Sequence, residues 1–590
     1  MWVKAAGLVV LVSLAVTGTA AGGGDSSHLV NPSVGMGLAP LADWSTQQPF
    51  IDLMKTARTW TGEPSGQGGG WDHADLLAGN HLDRDGWPMS LPPELAAVET
   101  VILTGQPEAA VSLAGRYRLT FAGEGVVEVS GVSDLAYGEG EIRFDYAPGN
   151  GFVGISIRET DPNETGDYVR DIVVVKEENL ERHAAGGIFN PDWLARIEDF
   201  RALRFMDWMA TNNSRIATWD ERPQPADYTY ALRGAPLEIM VALANETGAD
   251  PWFTLPHLAT DGHLRTFAEY VRDTLDPRLK AHVELSNEVW NGAFEQGRWA
   301  DEQGRARWGT DADDAGAQYY GMRASQMAMI WDEVFGAEAD ARLVKVISTH
   351  PGWLGLERAI LGAPRWVMED PVNNRPPAAY FDAYGTTGYF EARLGTDDKA
   401  PTVLAWIAES RRMAEDDAAA MGLKHAARRD HVEAHRYDRA VALAARELLD
   451  GAVTGAPEGS VTHLLDVVLA YHADAAARHG LDLVAYEGGA HVVGIGAWID
   501  NAELTAFFAH LSYTEEMGKL YDLLLQGWKD VGGTLFTAYY DVIMPSQWGS
   551  WGALRHLDDK NPRWDALETF NRETEAWWDA PVEAVRPDDR

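Results

Sequence analysis

The chain has 590 residues, 46% hydrophobic and 23% charged, which is too long for one ordinary core and predicts a large domain with a smaller one inserted or appended. A formal net charge of −40 and a pI near 4.7 argue against nucleic acid or an anionic membrane as partner, since both need a basic footprint, and leave a neutral substrate as the better fit. Cysteine is absent, so no disulfide framework, thiolate nucleophile or Cys-ligated metal is available.

In chain order, Met1–Lys4 and the apolar run Ala5–Val16, followed by Thr19-Ala20-Ala21, have the pattern of a secretory signal over residues 1–21. The run is short for a membrane span. The expectation is a secreted or periplasmic protein with no integral membrane span after signal cleavage. Val34–Met54 predicts a first strand, a polar loop carrying Asp43 and Trp44, and a helix start. Residues 71–185 then change character. Val98–Leu103, Arg116–Phe121, Val126–Ser130, Glu141–Tyr146, Phe152–Arg158 and Asp171–Val175 are short β-type runs between Gly, Pro and Asn. They predict an inserted antiparallel β-sandwich, either a carbohydrate-binding module or a structural subdomain.

From residue 186 a strand–helix alternation resumes. A helix is expected over Asp192–Leu203 and a second strand over Arg204–Met209, opening into Thr211-Asn212-Asn213. Further strands are expected at Asp250–His257, Lys280–Asn291, Ala341–His350, Tyr380–Tyr389, Leu481–Gly489 and Gly533–Tyr540. With Val34 these make eight, which predicts an α/β fold of the (β/α)₈ TIM-barrel type over residues 30–70 and 186–580. Helical patterns within residues 396–480 predict an insertion between strands 6 and 7.

In such a barrel, chemistry collects at the C-terminal strand ends. Glu288 closes the fourth strand and Glu487 the seventh, so both carboxyls can face one mouth. Two facing carboxyls are the minimal equipment for cleaving a glycosidic bond, one protonating the leaving oxygen and the other attacking the anomeric carbon. At this point the chain resembles the retaining glycoside hydrolases of clan A, with Asn287-Glu288 ending strand 4 and Glu487, in Tyr486-Glu487-Gly488-Gly489, ending strand 7. The resemblance implies Glu288 as general acid/base, Glu487 as nucleophile and Asn287 as a partner of the sugar 2-hydroxyl. It also implies a Tyr after strand 6 and a Trp after strand 8 at the site. Tyr389 and Trp548 are the nearest matches, with Tyr384 and Trp551 as rivals.

Trp208, Asp207, Asn213, His257, Trp290, His350 and His491 are further candidate substrate contacts, with packing as the competing explanation. The three histidines do not show a metal-ligand spacing, so hydrogen bonding to sugar is preferred over ligation, and neither a metal nor a cofactor is expected. Glu284 shares the side-chain parity of Glu288 and is expected one layer deeper in the barrel, without a catalytic role. The function expected is an exported retaining glycoside hydrolase acting on β-glycosidic bonds of a poly- or oligosaccharide. The alternative is a non-catalytic carbohydrate-binding protein on a barrel scaffold. Sugar, linkage and oligomeric state are not encoded in any motif.

Overall fold

A computed structural model describes residues 32–65, 70–149, 151–312, 314–574 and 577–578. The predicted signal at residues 1–21 lies outside them. Eight parallel strands pair in chain order: β1 (Val34–Gly37), β2 (Ala202–Arg204), β3 (Asp250–Leu255), β4 (Ala281–Leu285), β5 (Leu343–Ser348), β6 (Ala383–Phe390), β7 (Asp482–Ala490) and β8 (Gly533–Ala538). The sheet closes between β8 and β1, with Met36 opposite Ala538. The fold is the (β/α)₈ barrel. Its strands are buried on both faces, β3 and β4 along their whole length, so the polar side chains that alternate along β4, His282 and Glu284, are buried as well.

One boundary moved in a way that matters for the site. Strand 2 was expected over Arg204–Met209, but β2 ends at Arg204 and Phe205–Met209 forms a turn, closed by Met209 N–H on the Phe205 carbonyl (2.8 Å). Phe205, Trp208 and Met209 fall at i, i+3 and i+4, the spacing of a helical turn, and all three are buried. Arg204 thereby occupies a C-terminal strand end, where a side chain can reach the mouth.

The inserted β-region is a separate packed unit. One antiparallel sheet orders Thr61–Pro64, Leu95–Ile102, Val153–Thr160 and Gly125–Ser130; the other orders Ser133–Gly138, Glu141–Tyr146, Gly115–Ala122 and Arg170–Lys176. Thr61–Pro64 belongs to this sandwich although it precedes the β-rich composition that starts near Trp71; a Thr-Gly-Glu-Pro strand has no alternation to reveal it. A hydrophobic core of its own, including Val98, Tyr117, Phe144 and Ile155, fills the space between the sheets. A surface hollow of about 410 Å³ on the first sheet is lined by Glu63, Glu99, Glu128, Ser156 and Arg158 among others. None of its lining residues is aromatic, so it offers no ring-stacking surface.

Between β6 and β7 the chain forms helices Ala400–Ala420, His425–His435, Asp438–Asp450 and Ala470–His479. The second and third of these helices are separated at Arg436-Tyr437, where the Tyr437 ring turns inward onto Phe507. Val403, Trp406, Val441 and Leu448 join the barrel's own core, so this insertion is fused to the barrel rather than appended to it. No described helix is long and apolar enough to cross a membrane.

Candidate active site

The end of β4 is bent before it delivers its carboxyl. Ser286 (φ 59°) and Glu288 (φ 45°) both occupy the left-handed region, which non-glycine residues adopt only when the surroundings hold them there. Those surroundings are visible: Ser286 N–H donates to the Leu255 carbonyl (2.7 Å) and the Gln296 amide donates to the Asn287 carbonyl (2.8 Å). Glu288 is half-buried, and its carboxyl accepts from the Asn291 amide (2.9 Å) and the Tyr486 hydroxyl (3.3 Å).

On β7 a bulge does the corresponding work. Thr386 faces Ala485 and Thr387 faces Glu487, so Tyr486 has no opposite residue. A bulge re-aims side chains, and here two consecutive residues address the same mouth. Tyr486 reaches Glu288, while Glu487 accepts from Arg204 Nη1 (2.7 Å) and from the Tyr389 hydroxyl (3.1 Å). Gly388 and Gly488 follow from packing, because a Cβ at either position would run into the Phe536 ring of β8.

Arg204 is the hub of the site. Its side chain is 2% exposed, and it bonds Glu487 through Nη1 and both Glu284 (3.1 Å) and Asn287 Oδ1 (2.9 Å) through Nη2. Its plane lies over the rings of Trp252 and Tyr486. Glu284, one layer below Glu288, also accepts from Ser348 Oγ (2.6 Å) and Trp252 Nε1 (3.1 Å). Burial alone would depress the guanidinium pKa, but the charges of Glu284 and Glu487 more than reverse this and raise it. The Glu487 carboxyl is pushed up to about 8 by burial, opposed by Arg204 and assisted by the charges of Glu288 and Asp207.

Around Glu487 stands an aromatic wall. Tyr389 packs against His491 (5.7 Å between centroids), Tyr539 (5.8 Å) and Trp551 (5.8 Å), and His491 stacks on Trp551 at 4.8 Å. Of the two tryptophans after β8, the structure brings Trp551 to this wall, while Trp548 is 62% exposed on the rim. Tyr384 is fully buried and bonds His472, away from the wall that Tyr389 joins. Burial pushes His491 and His257 down to about 4, so both rings are neutral.

The remaining candidates separate clearly. Trp208 is not at the mouth: it is fully buried and stacks on Trp193 in the core, as the turn after β2 requires. His257 is buried edge-on to Trp299. Exposed His350 accepts the N–H groups of Gly352 and Trp353 at Nδ1 and so caps its own loop. Trp290 packs between Tyr320 and Tyr486 beneath Glu288. Asn213 braces a loop by accepting from Glu295 N–H (2.7 Å), whereas its neighbour Asn212 accepts from Asn287 (3.2 Å) and Gln296 (2.7 Å). Among the described residues no group of three or more His, Cys, Asp or Glu side chains is placed to hold a metal ion. Sequence reasoning missed Arg204 and Asn212, because the misplaced second strand assigned Arg204 to a strand start.

No family model and no curated protein matches this chain. Among solved structures it is similar to a GH51 arabinofuranosidase from Xanthomonas axonopodis pv. citri (11% identity, TM-score 0.33, covering 65% of this chain and 66% of that one). It is also similar to a GH5-4 broad specificity endoglucanase from Clostridium acetobutylicum (11%, 0.34, 64% and 90%). A Paenibacillus polymyxa xyloglucanase from glycoside hydrolase family 44 matches at 11% identity, TM-score 0.31, covering 64% and 74%. This chain thus spans slightly under two thirds of the arabinofuranosidase's length. Likenesses at this level add nothing to the barrel that the strand pairing itself establishes.

Proposed function

We propose that the chain is an exported glycoside hydrolase that cleaves β-glycosidic bonds of a poly- or oligosaccharide with net retention. The observation that carries this reading is the convergence of two carboxyls from β4 and β7, where Tyr486, the residue next to Glu487, donates across the mouth to Glu288. In the first step Glu487 attacks the anomeric carbon while Glu288 protonates the departing oxygen. In the second, Glu288 deprotonates the incoming water and the glycosyl–Glu487 ester is hydrolysed. Asn287, anchored on Arg204 and Asn212, is positioned to address the hydroxyl next to the anomeric centre.

The donors support this division of roles. Arg204 can only donate, so at 2.7 Å from Glu487 it stabilises the carboxylate form that a nucleophile needs. Glu288 has no cation within ion-pair distance among the described residues and is more open to solvent, as a group that meets a leaving oxygen and then water must be. Burial nevertheless raises the pKa of Glu487, the reverse of what a nucleophile usually needs.

That reversal has a measurable sign. Glu487 is reactive above its pKa and protonated below it, so kcat/KM is expected to fall as pH drops through about 8. A pH–rate profile whose acid limb lies near the ordinary glutamate value of 4.5 would contradict the burial effect. The test of the function itself is product analysis on plant, algal and microbial polysaccharides, with NMR identification of the first anomer released. The β-anomer is expected; an α-anomer from a β-linked substrate would replace retention by inversion. Hydrolysis of no polymer would leave the sugar-binding alternative. The signal pattern at residues 1–21 supports export.

A further inference from the structure

Asp207 sits in the turn after β2, and Tyr539-Tyr540 directly follows β8. The Tyr539 hydroxyl donates to the Tyr540 hydroxyl (2.9 Å), which in turn donates to Asp207 Oδ2, and the two phenol rings stack at 3.8 Å. Both hydroxyl protons are therefore directed along the relay towards the carboxylate. Asp207 is half-buried, and its Oδ1 has no hydrogen-bond or ion-pair partner among the described residues. Through Tyr540 and Tyr539 it adjoins the wall formed by Tyr389 and Trp551, and Tyr389 donates to Glu487; its charge also acts on Glu487. Among the described residues the cation acting on Asp207 is Arg204, which is buried and has both Nη groups committed to Glu487, Glu284 and Asn287.

We propose that Asp207 Oδ1 accepts a hydroxyl of the sugar unit held against Glu487, and that this subsite takes a neutral sugar and rejects a uronic acid. This rests on the glycosidase reading above. A carboxylate can only accept, so it selects a group with a proton to give. A uronate would bring a further carboxylate beside Glu487 and Asp207, where Arg204 already has both Nη groups bound to Glu487, Glu284 and Asn287, and like charges at such range are strongly disfavoured in a partly desolvated site. Burial pushes Asp207 up to about 6, so it is ionised at the pH where Glu487 is reactive.

The test is reducing-end release by the full chain from neutral β-1,4-linked glucan, mannan, galactan and xylan, and from glucuronan and polymannuronate. Wild type is expected to cleave at least one neutral polymer and neither uronate polymer. Asp207→Asn is expected to lose about 10- to 100-fold in kcat/KM on the neutral polymer, the range for a hydrogen bond to a charged group. It should also narrow the neutral-to-uronate ratio, because the new amide can donate to a carboxylate; a merely structural tie would not move that ratio. Tyr540→Phe, which keeps the ring stack, should show a smaller loss in the same direction, and it carries the test if Asp207→Asn does not fold. Comparable wild-type cleavage of a uronate polymer, or unchanged kcat/KM and ratio in the variants, would overturn the proposal. Release from no polymer at all would instead sink the glycosidase reading on which it stands.

Discussion

Replacing Glu288 by Gln is expected to slow hydrolysis of the natural polymer by about 10²- to 10⁴-fold, the usual contribution of a positioned acid or base. Its effect should shrink sharply for the first step on a 2,4-dinitrophenyl glycoside, whose leaving group departs without protonation. Glu487→Gln should lower kcat by about 10⁴-fold or more on both substrates, because no leaving group replaces the attacking atom. Both substitutions keep side-chain volume, and the amide can still hold several of the existing contacts, including those of Glu288 to Asn291 and Tyr486, so the fold is retained. Adding azide sharpens the comparison. A small anion can fill the space of a shortened nucleophile, and Glu487→Ala should then yield the glycosyl azide of inverted configuration, whereas Glu288→Ala should yield the retained one. The opposite pair of products would exchange the two roles. That exchange is the outcome the raised pKa of Glu487 points to.

Arg204→Met should be the most damaging single change to stability near the site. It leaves the carboxyls of Glu284 and Glu487, 1% and 9% exposed, without the guanidinium between them. Breaking a buried pair by removing one partner costs about 3–5 kcal/mol, measurable by urea unfolding. The double variant Arg204→Met, Glu284→Gln should recover part of that loss, because one of the stranded charges is gone, yet remain inactive. Arg204→Lys keeps the charge but cannot bond three acceptors at once from a planar fork, so it should retain more stability than activity. Since Arg204 is the main influence holding Glu487 down, any residual activity of the lysine or methionine variant should have its acid limb at higher pH than wild type. Wild-type stability in the methionine variant would mean that the hub is not a hub.

The proposed catalytic pair was legible because its pattern is written locally. Glu288 follows an apolar-alternating strand and Glu487 a largely apolar one, and strand counting alone places them three strands apart in a closed ring. Tyr389 was legible for the same reason, standing near the end of β6. Arg204 and Trp208 were not. Their segment carries aromatic residues dense enough to suggest a strand, and only the packing of Trp208 on Trp193 turns it into a bend that leaves Arg204 at the strand's end. Trp551 and Trp548 are three residues apart, with nothing in the sequence to separate them; the stack on His491 is a contact between loops after β7 and β8.

What the sequence determined by itself was the barrel, the inserted sandwich and helices, and the two carboxyls, since hydrophobic periodicity and strand order are properties of the chain. What only the tertiary structure decided was which charges meet. The ion pairs of Arg204 join residues 80 and 283 positions apart, and the relay from Tyr540 to Asp207 spans 333. Such pairs are set by side-chain reach across a closed sheet, which no local pattern records, and they determine both the charge of the proposed nucleophile and the kind of sugar proposed to lie beside it.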